Sequence, residues 1–178
     1  HFTTFSRKKH NAMGHGEYIL MQDANAGFSV HVCHQPGDKP SVSVNTGVAI
    51  SSQWGVLKFR GKLDSSRPPM PEGSGITLEP HTPSFGINTI TFPTGEVVQT
   101  QNAGGVTTVN LPSSYCGQVY GLCGAYDPSS GFENTFAIND ATHSAFDASS
   151  SEQHWGGPYG GDFQSQFADS WKIVSYDS

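Results

Sequence analysis

A chain of 178 residues is long enough for one domain with a sizeable core and too short for two, so residues 1–178 read as a single domain. The net charge is −6, and the nine Lys and Arg are scattered apart from Arg7-Lys8-Lys9, leaving no basic stripe to track a phosphate backbone; nucleic acid is excluded as the expected partner. Charged residues are only 13% of the chain while glycines number 21 and prolines 11, a turn-rich balance that argues against a helical fold, and no apolar run approaches the ~18–20 residues of a membrane helix.

The sequence opens on His1 with neither an initiator Met nor a signal peptide, and is read as a processed or trimmed piece of a longer protein. His1 to Phe5 alternates aromatic and polar residues as a short strand, and Ser6 to Asn11 follows as a basic, polar turn. Glu17 to Gln22 and Phe28 to Cys33 are strands joined by the turn-rich Asp23 to Gly27, which predicts a hairpin. Within the second strand Phe28, Val30 and Val32 face one way, and Ser29, His31 and Cys33 the other. Ser41 to Val44, Val48 to Ile50 and Val56 to Arg60 are further strand candidates. Asp64 to Gly75 holds three prolines and two glycines and is expected to be an exposed loop that adds nothing to the core.

From Ile76 onward strands recur at short spacing: Ile76 to Glu79, Ile87 to Phe92, Glu96 to Gln101 and Val106 to Leu111. Thr and Val dominate them, as a half-buried antiparallel meander requires. Asn139 to Gly161 has no sustained period and reads as a long loop, whereas Asp162 to Ile173 spaces Phe163, Phe167 and Trp171 four residues apart, one stripe of a short helix. The predicted fold is therefore all-β: a two-sheet antiparallel β-sandwich with long loops and a short C-terminal helix.

The densest turn chemistry lies between Tyr115 and Phe136, where Gly121-Leu122-Cys123-Gly124 sets a cysteine between two glycines. Asp127, Glu133 and Asn134 follow on a loop broken by Pro128 and Gly131, and several oxygens on a flexible turn are what a hard cation such as Ca2+ takes; a plain polar turn is the other reading. Cys33, Cys116 and Cys123 are an odd number, so one is either free or paired outside the chain, and an oxidising, secretory setting suits them. His31, Cys33 and His34 contain metal-ligating types, but His34 points away from the other two on a strand.

For nucleophilic catalysis no Gly-x-Ser-x-Gly elbow occurs, and Gly73-Ser74-Gly75 lies in the proline-rich loop without a visible His-acid pair. Trp155 and Tyr159 sit on the Gly-rich stretch Trp155-Gly156-Gly157-Pro158-Tyr159, where rings can stack on a sugar, anchor a partner protein or fold back on the sandwich.

His1-Phe2-Thr3-Thr4-Phe5, Gly14-x-Gly16-Glu17-Tyr18-Ile19-Leu20, Tyr120-Gly121-Leu122-Cys123-Gly124-Ala125-Tyr126-Asp127 and Phe167-Ala168-Asp169-Ser170-Trp171-Lys172 fall in one order along the chain. In that order they resemble the von Willebrand factor type D domain. The resemblance implies a secreted β-rich module of mucins, clotting, adhesion and matrix proteins, used for assembly or adhesion and not as an enzyme. It also implies a structural Ca2+ on the loop after Gly-Leu-Cys-Gly, which here offers Asp127 and Asn134 with Glu133 nearby. The family's Asp after Thr-Phe is Ser6 and its Asn after Gly-Leu-Cys-Gly is Ala125, two lost oxygen ligands that would weaken such a site. Gly16 and Tyr120 stand where the family often has Cys; the pairing read from the resemblance is Cys33 with Cys116, and Cys123 with a cysteine upstream of His1. The chain start, at the His of the family's Gly-Asp-Pro-His opening, is expected to reflect domain trimming, with self-cleavage at Asp-Pro as the alternative.

The function expected from the whole is a non-enzymatic extracellular module for assembly or attachment, its partners being other copies or domains of the same assembly. The alternatives are a carbohydrate-binding sandwich that takes glycans and a part of a secreted, luciferase-like enzyme.

Overall fold

The computed structural model describes residues 2–3, 5, 9–10, 15–25, 27–39, 42–60, 68–80, 86–101, 105–124 and 172–173. These form three antiparallel sheets. Two short strands, β1 (Phe2–Thr3) and β2 (Lys9–His10), pair with each other. The opening strand is thus as predicted, but the basic stretch after it is no simple turn, since it returns as β2.

The larger sheet is built on β3 (Gly16–Asp23), β4 (Ser29–Pro36), β5 (Ser43–Ser52) and β6 (Gly55–Arg60), an up-and-down run of hairpins. The stretches Ser41 to Val44 and Val48 to Ile50 belong to one strand, β5, of ten residues. The interruption in the sequence pattern is a bulge: the β4–β5 register shifts between Cys33 and His34, and the Thr46 hydroxyl donates to the Cys33 carbonyl at 3.2 Å. On the other side of β3 lie β11 (Val119–Tyr120) and β12 (Lys172–Ile173), both antiparallel to it.

The smaller sheet is the predicted meander: β7 (Thr77–Pro80), β8 (Ile87–Thr91), β9 (Val97–Gln101) and β10 (Thr107–Asn110), in spatial order β10-β9-β8-β7. The two large sheets bury one core between them. Tyr18, Leu20, Met21, Phe28, Val30, Val32, Val48, Ile50, Leu57 and Phe59 come from the first, and Ile90, Phe92, Val98 and Val109 from the second. Each such side chain stabilises the fold by about 1.5–3 kcal/mol through burial. The alternation read for Phe28 to Cys33 holds for Phe28, Val30 and Val32 inside and for His31 and Cys33 half-buried on the outer face, whereas Ser29, read with those two, is buried.

Two expectations are corrected. The end of the proline-rich loop does serve the core: Met70 packs against it, Ser74 is buried, and the Ser74 hydroxyl accepts the Ile76 N–H at 3.2 Å. A proline needs no ladder partner, so its chain can cap the sandwich edge with side chains. The helix expected over Asp162 to Ile173 lies outside the described residues except for its last two, and these are strand: Lys172 pairs with Tyr18 and Ile173 with Glu17.

Candidate functional site

The Gly-Leu-Cys-Gly stretch is held by β3 in a geometry that few side chains could survive. Its approach begins at Ser113–Tyr115, a single 3₁₀ turn, where Tyr115 N–H donates to the Pro112 carbonyl at 3.1 Å and Gln118 N–H to the Tyr115 carbonyl at 3.0 Å. β11 then pairs Val119 with Asp23 and Tyr120 with Gln22. Beyond it the chain hooks over: Leu122 N–H donates to the Ile19 carbonyl at 3.0 Å, Cys123 N–H to the Leu20 carbonyl at 2.9 Å, and Gly124 N–H back to the Gly121 carbonyl at 2.8 Å.

The hook sits where β3 is irregular. The β3–β4 register shifts between Ile19 and Met21, so Leu20 and Met21 both turn inward and are buried. Gly121, at φ 132°, crosses this bulge so closely that a Cβ there would lie 2.7 Å from the Leu20 carbonyl oxygen and 2.9 Å from Met21 Cα. Glycine is therefore required on two counts, the left-handed backbone and the close approach. The Cys123 carbonyl in turn accepts the Phe5 N–H at 2.9 Å, which ties the start of the chain to the same hook.

Cys123 is buried, and loss of solvent pushes its thiol up to about 12. Since the thiolate is the nucleophile, native protein at pH 8 is expected to leave Cys123 unmodified by iodoacetamide while denaturant exposes it. Peptide mapping would check this, and rapid native labelling of Cys123 would refute it. Cys33 is half-buried in β4 beside Glu17 and Gly47, whereas Cys116 is exposed next to the Asp23 end of β3. The six residues of β3 between those two ends span about 20 Å at ~3.3 Å per residue, so the structure does not bring Cys33 and Cys116 within the ~7 Å between Cα atoms that a disulfide allows.

Beside Tyr115, on the approach to the hook, lies a buried acid. Glu96 is 2% exposed and accepts hydroxyl hydrogen bonds from both Thr94 and Tyr115. A row of rings leads to it: Trp54 stacks on Phe92 at 6.1 Å, Phe92 meets Phe28 edge-on at 5.1 Å, and Phe28 meets Tyr115 at 6.3 Å. Asp23, also buried, closes the β3–β4 turn by accepting Asn25 N–H at 3.0 Å and Gly27 N–H at 3.2 Å. The Ala24 N–H donates to the Gln118 carbonyl at 2.7 Å and joins that turn to the approach to β11. On the outer face His31 Nδ1 lies 3.0 Å from Glu17 Oε1, while His34 is buried with its ring 5.1 Å from that of Tyr18. The two histidines thus face apart, as their strand positions require.

Among the described residues no group of three or more His, Cys, Asp or Glu side chains could hold a metal ion. Asp127, Glu133 and Asn134, read as Ca2+ ligands, and Trp155 and Tyr159, read as partner contacts, all lie outside the described residues. Glu96 and Asp23 were not picked out as site residues by sequence reasoning. A signal existed for Glu96: counting by two from buried Val98 and Thr100 puts residue 96 on the inward face.

The described strands thus make a two-layer antiparallel β-module whose first long strand is gripped by a glycine-flanked cysteine hook. The von Willebrand factor type D domain family model matches residues 1–135, and the chain belongs to that family. It is also 31% identical over 150 residues to zonadhesin of Sus scrofa, a match covering 75% of this chain and 6% of zonadhesin. The chain thus spans a small part of the length of that relative.

Proposed function

We propose that this chain is an extracellular module that attaches or assembles a larger adhesive or matrix protein, working by association with like modules and not by catalysis. The hook carries this reading. The Cys123 N–H donates to the Leu20 carbonyl and its own carbonyl accepts the Phe5 N–H, fastening three parts of the chain into one body whose remaining strand edges can meet a neighbour. Family membership and the similarity to zonadhesin support the adhesive role.

The test is sedimentation velocity of the chain over a wide concentration range. A mass that rises with concentration is expected; a monomer throughout would overturn the reading. Glycan-array binding that disappears in Trp155→Ala would replace it with carbohydrate recognition. In this proposal Asp127, Glu133 and Asn134 hold a structural Ca2+. Added calcium then raises the melting temperature and a chelator reverses the rise, by the linkage that stabilises any folded state that binds a ligand; no shift in either direction would remove the ion from the proposal.

A further inference from the structure

Among the described strands of four or more residues, three have an outer edge that no described residue pairs with, β6, β7 and β10; the edges of β1, β2, β11 and β12 are two residues long and too short to seat a neighbouring strand. Exposed edges invite pairing with another chain, and charges or proline on an edge oppose it. β6 carries exposed Lys58 and ends at Arg60. β7 carries exposed Glu79 and ends at Pro80, which has no N–H to donate. β10, Thr107-Thr108-Val109-Asn110, has neither charge nor proline. Thr108 and Asn110 are exposed on its outer face, and Val106, just before it, is 73% exposed. Thr107 points inward, its hydroxyl accepting from Asn45 Nδ2 at 3.1 Å, so the strand is anchored from within the sandwich.

We propose that β10 is the edge through which a second copy of this chain adds, antiparallel and about a twofold axis, joining two four-stranded sheets into one. The inference rests on the self-association reading above and names its surface. Directly opposed residues of an antiparallel pair share a face, so a twofold normal to the sheet must pass through a residue pair with itself. Centred on Thr108, it sets Thr108 against its own copy, Val106 against Asn110 and Thr107 against Val109. Threonine pairs are favourable across strands and no like charges meet. The same operation centred on Lys58 of β6 or on Glu79 of β7 sets like charges directly opposite, and on β7 Pro80 has no N–H to give. On β10 alone of the three can a second copy pair about a twofold in any register without setting like charges opposite.

Thr108→Lys and Thr108→Glu test this by sedimentation velocity. Each alone is expected to weaken self-association at least tenfold, an equimolar mixture to restore it, and Lys58→Glu to leave it unchanged. Recovery in the mixture separates a lost interface from a lost fold. If the parent chain associates while the Thr108 variants match it, or the mixture stays dissociated, the β10 edge is wrong and self-association stands. If the parent is monomeric at every concentration, both fall.

Discussion

Gly121→Ala is expected to destabilise the domain by about 3 kcal/mol or more, the sum of roughly 1–3 kcal/mol for a side chain held in the left-handed region and ~1–3 kcal/mol for overpacking. The clash is with backbone, the Leu20 carbonyl at 2.7 Å, so no rotamer change relieves it. The hook must lift from β3 or β3 must lose its bulge. Denaturant unfolding would give the size of the effect. Amide exchange would locate it, with Leu122, Cys123 and Phe5 N–H groups exchanging faster because their acceptors lie in or beside the hook. Gly55→Ala is the control: its φ is 112° but a Cβ would meet nothing within 4 Å, so it should lose only the conformational part, about 1 kcal/mol. Equal losses at the two glycines would show that the close approach to β3 does not matter.

Glu96→Ala is expected to cost about 3 kcal/mol, because it strips the acceptor from two hydroxyls at once and leaves a cavity under the aromatic row. Glu96→Gln keeps the volume and should lose less. Tyr115→Phe removes one of the two donors and should cost about 1–2 kcal/mol. The pair also fixes a pH response. Tyr115 ionises well above its ordinary value of 10.0, first because of burial, then through its hydrogen bond to Glu96, then through the charges of Glu96 and Asp23. Its neutral form is thus favoured in the folded state, so the stabilisation is complete below the unfolded value and declines as pH rises past it, where the unfolded chain gives up the proton first. Tyrosinate absorbance should show one group titrating late, lost in Tyr115→Phe. A titration in which every tyrosine ionises together would contradict the assignment.

Strand identity was largely legible in the sequence because each face has its own period. Phe28, Val30 and Val32 announce β4, and the Thr and Val stretches from Ile87 to Leu111 announce the meander. The hook was legible as glycines around a cysteine, but not the reason for them. Gly121 is needed for a contact with Leu20, a hundred residues away in the chain, and no local pattern reports such a neighbour. The same holds for Glu96, whose partner Tyr115 lies past the next two strands. β11 and β12 escaped because a two-residue strand has no period to read; they exist because β3 offers unpaired backbone groups. The bulge at Leu20 escaped because an alternation that slips once looks like a plain apolar run.

The flank of β3 that β11 occupies has a consequence for biosynthesis. Asn25, at the turn that follows β3, and Gln118, which leads into β11, are separated by 93 residues. At a ribosomal pace of ~5–20 residues per second, the hairpins from β3 to β6, complete at Arg60, would emerge roughly 3–12 s before β11 at Val119–Tyr120 seals that flank. During this interval the nascent sheet offers an apolar, unsatisfied border to whatever surrounds it, so maturation in the cell should depend on a chaperone that shields it until translation passes the hook.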